Sequence, residues 1–191
     1  GSLRNPAGWN NVYGFRPSVG RVPSGPAPEL FLQQLSTEGP MARSVVDLAM
    51  LLSTQAGFDA RMPLSLEGSG GQFMPPFVPE TAGMRVGWLG DLGGHLAMEA
   101  GVLETCEAAL GLLEAIGCRV EPVRIDFDMH ALWWAWTTLR SFLVAGSLGA
   151  VHDAPGSSLK AEAVWEIERG RALGAMEVFR ASAVRSAWYR T

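Results

Sequence analysis

This 191-residue sequence contains little lysine and little cysteine, and its net charge is small. Lysine occurs once, at Lys160, and the formal net charge is only −4, with the arginines scattered along the chain. A protein that binds nucleic acid or an anionic membrane surface by electrostatics needs a basic stripe or a polybasic cluster. The sequence has neither, so we expect no direct nucleic-acid partner and no charge-driven membrane contact.

The two cysteines, Cys106 and Cys118, are too few for a disulfide framework or a zinc site. Both fit small, buried apolar positions, which favours a reducing compartment and hence a cytoplasmic location. The glycine-rich run 90–94 lacks the Gly-x-Gly-x-x-Gly spacing of a dinucleotide site and is interpreted as a plain turn. We therefore expect neither a metal nor another cofactor.

Long uninterrupted apolar runs are also missing. The longest apolar stretch, residues 131–150, is broken by Arg140, Gly146 and Gly149 and contains four hydroxyl residues, which predicts a buried helix and no membrane span. Apolar residues make up 48% of the chain and charged residues 18%, as in globular proteins. A chain of this length can bury the core of one domain.

Turn residues and hydrophobic periodicity divide the chain into loops, strands and helices. Residues 1–29 read as loops with brief strands or turns, and Ser44 reads as the N-cap of a helix that ends near Gly57. A strand over 84–89, a helix over 97–116 and a strand over 118–123 form a strand–helix–strand unit, which implies parallel strands. The last third is helical, over 129–148 and 158–189, with Gly170 and Gly174 as points where the final segment can bend or split.

Two sets of apolar side chains are expected to be buried in these helices. The tryptophans Trp133, Trp134 and Trp136 favour a core position over a substrate pocket, although both interpretations remain open. The helix over 97–116 is expected to bury one face, formed by Val102, Cys106, Ala109, Leu110 and Leu113.

The opening residues carry the strongest chemical signal. A serine that follows a glycine at a tight turn has an exposed hydroxyl, with backbone N–H groups beside it, and acyl transfer needs both a nucleophile and donors for the oxyanion. We therefore predict Ser2 as the catalytic nucleophile and the backbone N–H groups of Gly1 and Ser2 as the oxyanion hole. Arg4 is expected to have a supporting role in holding this loop, with a plain surface arginine as the alternative.

The sequence from Gly1 to Arg21 and a second run resemble the amidase signature family. Its hallmark reads Gly-Ser-Ile/Leu-Arg-x-Pro-Ala followed by Gly-x-Lys/Arg-Pro-Ser/Thr-x-Gly-Arg, and here Gly1-Ser-Leu-Arg-Asn-Pro-Ala7 and Gly14-Phe-Arg-Pro-Ser-Val-Gly-Arg21 match it. The run Gly39-Pro-Met-Ala-Arg-Ser-Val-Val-Asp-Leu-Ala49 looks like the next landmark, at the expected distance. Gly-Ser is also a common remnant of tag removal, but a remnant would have to recreate the family motif in register by accident.

The resemblance implies an α/β fold in which a mixed β-sheet is covered by helices on both faces. Residues 1–191 would then be part of a single amidase domain whose upstream catalytic part is missing. It also implies hydrolysis of a carboxamide C–N bond through an acyl-serine intermediate, on a small-molecule amide substrate. A homodimer is compatible with it.

In the family, a second serine and an unprotonated lysine complete the catalytic set, and both lie upstream of the nucleophile. Lys160 lies far downstream in a polar helical setting and does not match that lysine. We therefore expect this piece to be inactive without the upstream half of the domain. The alternatives are a subunit of the glutamyl-tRNA amidotransferase type and a non-catalytic binding member of the family.

A Ser-His-Asp triad is a rival mechanism, because such triads are set by geometry and not by chain order. The three histidines, His95, His130 and His152, do not sit in a recognisable motif. We therefore rank the triad well below the lysine mechanism.

Overall fold

The computed structural model describes residues 3–25, 27–32, 34–77 and 80–191 and divides the chain into two compact units, Gly1–Phe77 and Val78–Thr191. Helices and short strands occur in both, which confirms the α/β class. The first unit contains, among its described residues, α1 (Arg4–Asn10), β1 (Tyr13–Gly14), β2 (Met41–Ala42), α2 (Val45–Gln55) and a 3₁₀ turn (Gly70–Phe73). The second contains β3 (Arg85–Trp88), α3 (Val102–Ala115), β4 (Arg119–Pro122), α4 (Met129–Asp153), α5 (Ala161–Ala172) and α6 (Ala175–Arg190).

In the first unit, α2 forms as the sequence predicts. Ser44 is its N-cap: the Ser44 hydroxyl accepts a hydrogen bond from the Asp47 backbone N–H at 3.1 Å. This bond satisfies one of the N–H groups that have no partner within the helix. The apolar face of α2 buries Leu48, Ala49 and Leu52 beneath the rest of the unit.

The second unit contains the predicted strand–helix–strand arrangement. Strands β3 and β4 are parallel, with Arg85 opposite Arg119 and Trp88 opposite Pro122. The connecting helix α3 begins at Val102, five residues later than predicted, because Gly101 adopts a left-handed conformation with φ of +86° and interrupts the helical path. Gly117 ends this segment as expected, also with a positive φ.

Helices α4, α5 and α6 pack together in the second unit. The segment 158–189 does split: Leu173 and Gly174 have extended backbones and separate α5 from α6. Helix α4 continues to Asp153, past Gly146 and Gly149. Its close contact with α5 is formed at Gly170, where a Cβ would lie 2.1 Å from the Ser141 carbonyl oxygen.

The burial prediction holds for Cys118 but is wrong for α3 and two of the tryptophans. No residue of α3 is buried and Cys106 is exposed, because α3 covers only the two-stranded β3–β4 pair. Trp133 is 66% exposed and Trp136 is also exposed, since the buried face of α4 is formed by smaller residues such as Ala135 and Thr138. No helix within the described residues is long and apolar enough to cross a membrane.

Candidate active site

The predicted nucleophile and oxyanion donors, Gly1 and Ser2, lie outside the described residues. The structure does describe the residues that follow them. Leu3 is the N-cap of α1, and its carbonyl oxygen accepts a hydrogen bond from the Ala7 N–H at 3.2 Å. The Leu3 side chain makes no capping hydrogen bond at this end of α1. The backbone therefore enters a helix within two residues of Ser2, and Pro6 is compatible with that first turn because its missing N–H is not needed there.

The two sequence landmarks are brought together by backbone pairing. Strand β1 is antiparallel to β2, with Tyr13 opposite Ala42 and Gly14 opposite Met41, and the Phe15 N–H donates to the Pro40 carbonyl at 3.0 Å. The first landmark thus lies against the second, although about 25 residues separate them in the chain. Adjacent motifs of this kind can build one site from two stretches of sequence.

Gly14 and Gly39 allow the two landmarks to pack closely against each other and against Leu3. A Cβ at Gly14 would lie 2.7 Å from the Leu3 carbonyl oxygen, and a Cβ at Gly39 would lie 2.3 Å from the Phe15 carbonyl oxygen and 3.0 Å from the Leu3 side chain. Real side chains essentially never come so close to backbone oxygen, so both positions require glycine. The glycines of the two landmarks therefore shape the backbone next to Ser2.

Arg4 has no side-chain hydrogen-bond or ion-pair partner among the described residues. Its side chain is exposed and lines an open depression with Asn5, Gly8 and Trp9. Its supporting role stays a prediction.

Lys160 is exposed at the start of α5, where its backbone carbonyl accepts hydrogen bonds from Ala163 and Val164. Neither this exposed position nor its place far downstream in the chain matches the lysine of the family mechanism. For the rival triad, the carboxylate next to His152 in the sequence is Asp153. Asp153 accepts two hydrogen bonds from Arg171, at 3.0 and 2.6 Å, and these hold the pKa of its carboxyl below the usual value.

The first unit also contains a cavity of about 180 Å³ that sequence patterns do not reveal. Its lining includes Leu30, Thr37, Met62 and Ser65. The Thr37 hydroxyl is buried there without a hydrogen-bond partner in the described part of the chain. The loops that form this cavity are far apart in sequence and show no periodicity. No sequence pattern therefore predicts that they come together. Across the described residues, no group of three or more His, Cys, Asp or Glu side chains could hold a metal ion.

Comparison with known proteins places these motifs in a family. The sequence profile of the family described as Amidase matches residues 1–162, which is most of the chain and includes both landmarks. The chain belongs to the amidase family.

Curated relatives of this amidase-family chain include the glutamyl-tRNA(Gln) amidotransferase subunits A of Deinococcus deserti and Ectopseudomonas mendocina. The first is 37% identical over 134 residues, covering 69% of this chain and 26% of the relative. The second is 30% identical over 132 residues, covering 69% of this chain and 27% of the relative. The chain thus spans about a quarter of the length of these relatives.

Solved structures show the same fold. A bacterial aryl acylamidase of the amidase signature family superposes with a TM-score of 0.77 at 22% identity, over 97% of this chain and 40% of that protein. A structure described as an amidase gives 0.71 at 26% identity, over 98% of this chain and 38% of that protein. The likeness extends beyond residue 162, so the α4–α6 helices also match the amidase fold.

Proposed function

We propose that this amidase-family chain supplies the nucleophile of an amide hydrolase that acts on small-molecule carboxamides in the cytoplasm. The observation that carries the proposal is the pairing of the two family landmarks at β1 and β2, directly beside the backbone that follows Ser2. The family match starts at residue 1 and so includes Ser2 itself.

In the proposed reaction, the Ser2 Oγ attacks the amide carbonyl carbon while its proton passes to a base. The C–N bond then breaks, the amine leaves with a proton, and the acyl group remains as an ester on Ser2. Water hydrolyses that ester and regenerates the hydroxyl. The backbone N–H groups of Gly1 and Ser2 stabilise the oxyanion in both steps, and loss of one such donor typically lowers kcat by about 100- to 1000-fold.

We infer that the base comes from outside this sequence. Serine is a weak nucleophile until a neighbouring group takes its proton, and Lys160 is exposed at the start of α5. We assign the base to the upstream half of the domain, in line with the family's lysine and second serine. Arg4, the first residue of α1, would then have a supporting role and take no part in proton transfer.

The proposal is tested by comparing two proteins on a simple amide such as 4-nitroacetanilide. One is the 191-residue chain alone, and the other is the same chain joined to an upstream amidase segment that carries the lysine and the second serine. We expect turnover only from the joined protein. Ser2→Ala should abolish this turnover, whereas the exposed Ser24→Ala should leave it unchanged.

Turnover by the chain alone that depends on Ser2 would contradict the assignment of the base. Equal turnover by the joined protein and its Ser2→Ala variant would contradict the nucleophile. Labelling of Ser2 by a fluorophosphonate gives a second measurement, because the reagent reacts only with an activated serine. Absence of labelling in the joined protein would favour the non-catalytic binding member instead.

A second candidate function is suggested by the relatives named as glutamyl-tRNA(Gln) amidotransferase subunits A. A subunit of that type would release ammonia for use by a companion chain and would contact tRNA only through it. Native mass spectrometry of the joined protein with cell extract proteins would distinguish the two: a stable companion subunit favours transamidation, while a monomer or homodimer favours simple hydrolysis.

A further inference from the structure

Three arginines join helices α4 and α5, and two of them have a carboxylate partner. Arg140 donates two hydrogen bonds to Glu166, and Arg171 donates two to Asp153. Such forked pairing satisfies both the charge and the planar shape of a guanidinium. The third arginine, Arg169, lies between Glu166 and Arg171 in the sequence of α5. Its hydrogen-bond partners are hydroxyl groups.

In the part of the chain that the structure describes, Arg169 donates only to hydroxyl groups. Its Nη1 lies 3.4 Å from Ser141 Oγ, and its Nη2 lies 3.2 Å from Thr137 Oγ1 and 3.5 Å from Thr138 Oγ1. Thr138 is 0% and Ser141 is 1% exposed, so the hydroxyls on this side of the guanidinium are inside the helix bundle. Within the described residues, Arg169 Nε–H has no acceptor and the guanidinium has no carboxylate within ion-pair distance.

Among the described residues, no carboxylate is paired with Arg169. Glu166, one turn before Arg169 on α5, is instead paired with Arg140 through both of its carboxylate oxygens. The Trp165 ring packs under the guanidinium, with Arg169 Cζ 5.6 Å from the ring centroid, and Trp165 is 58% exposed. The site therefore presents unused N–H donors and a positive charge beside an accessible aromatic ring.

We propose that Arg169, with Trp165, forms a binding site for a carboxylate on the α4–α5 face. A half-buried cation that is bonded only to neutral hydroxyls keeps its charge uncompensated, and a carboxylate can both neutralise it and accept the fork of N–H groups. The exposed Trp165 ring offers apolar surface for the hydrocarbon of an organic acid. This site does not depend on the proposed amidase reaction.

The test follows the arginine side chains of the chain by ¹⁵N NMR during titration with sodium benzoate and with sodium acetate. Ionic strength is held constant with sodium chloride. The Arg169 Nε–H signal is assigned by its loss in Arg169→Lys. We expect the chemical shift of this signal to change saturably with both acids. The fitted Kd should be lower for benzoate, because its ring can contact Trp165. Arg169→Gln should weaken binding at least about tenfold, as followed by the Trp165 indole signal. The exposed Arg180→Gln should leave binding unchanged.

A linear, non-saturating shift, or equal binding by Arg169→Gln and the unsubstituted chain, would overturn the proposal. A blocked peptide that carries one glutamate, acetyl-Gly-Glu-Gly-amide, distinguishes the source of the carboxylate. Tighter binding of benzoate than of the peptide indicates a small organic acid, and tighter binding of the peptide indicates an acidic side chain of another protein segment. Well-dispersed spectra of each variant would confirm that the fold is intact.

Discussion

At the scale of single residues, the cap of α2 is the clearest local determinant of the first unit. The Ser44 hydroxyl accepts from the Asp47 N–H and donates to the Asp47 carboxylate at 2.7 Å. Ser44→Ala should lower the free energy of unfolding by about 1 kcal/mol, because it leaves a helix N–H without a partner. Urea unfolding followed by circular dichroism measures this change.

Ser36→Ala is the matched control, since Ser36 is exposed and makes no hydrogen bond within the described residues. It should shift stability by less than about 0.5 kcal/mol. Equal effects of the two substitutions would show that the cap does not stabilise α2.

A second residue-scale prediction concerns acid titration. The Arg61 side chain donates two hydrogen bonds to Asp59, at 3.0 and 2.7 Å, and lowers the pKa of Asp59 from 3.8 to about 2. A lowered pKa in the folded state means that this pair stabilises the fold above about pH 3.8, and that the contribution is lost as pH falls towards 2. The Arg61 side chain of this pair is 72% exposed, so solvent screens the interaction and its effect on stability is small.

The measurement is a carboxyl ¹³C NMR titration of Asp59. We expect its midpoint well below 3.8, and a return towards 3.8 in Arg61→Gln. An unshifted midpoint in the unsubstituted chain would contradict the ion pair.

At the scale of elements, the α4–α5 contact depends on Gly170. A Cβ there would lie 2.1 Å from the Ser141 carbonyl oxygen and 2.6 Å from Ala145 Cβ. Because both neighbours belong to the facing helix, Gly170→Ala must push the helices apart, and we expect a loss of about 1 to 3 kcal/mol in unfolding free energy.

Gly146→Ala in α4 is the matched control, since no atom of the described residues lies within 4 Å of a Cβ at that position. It should stabilise the helix by up to about 1 kcal/mol, because alanine is the better helix former. Thermal unfolding measures the stability of both variants. A change in stability of the same sign in both would contradict the packing argument.

The elements also show what local sequence can and cannot predict. The Ser44 cap and the strands β3 and β4 are local features, and all were predicted at or near their observed bounds. The predicted start of α3 is wrong because the composition of residues 97–100 suits a helix, whereas the helix begins after Gly101, which has a left-handed conformation. The exposure of Cys106 and Trp133 could not be predicted, because burial depends on which surface lies opposite each helix. The Arg169 cluster joins side chains about 30 residues apart and has no sequence pattern.

At the scale of the whole molecule, exposed apolar side chains are numerous in both units. Leu112, on α3, is 70% exposed, and Phe179, on α6, is also exposed. Apolar surface of this kind is usual where another protein surface binds. We expect the chain to bind the dye ANS and to self-associate with rising concentration.

ANS fluorescence and sedimentation velocity measure these two properties. Leu112→Gln should reduce both without lowering the melting temperature, because the side chain has little packing to lose. Glu107→Gln, at another exposed position of α3, should change neither. No ANS binding by the unsubstituted chain would contradict this description of its surface.

The pairing of β1 with β2 also has an evolutionary consequence. The pairing holds the two ends of the segment 15–40 together, so that segment can become longer or shorter while β1 and β2 stay paired. The entropic cost of closing a longer loop grows only with the logarithm of its length, by about 0.6 kcal/mol for each doubling. Insertions between Val22 and Gln34 therefore offer a route by which descendants of this chain can acquire new surface loops while the backbone around Leu3 stays unaltered.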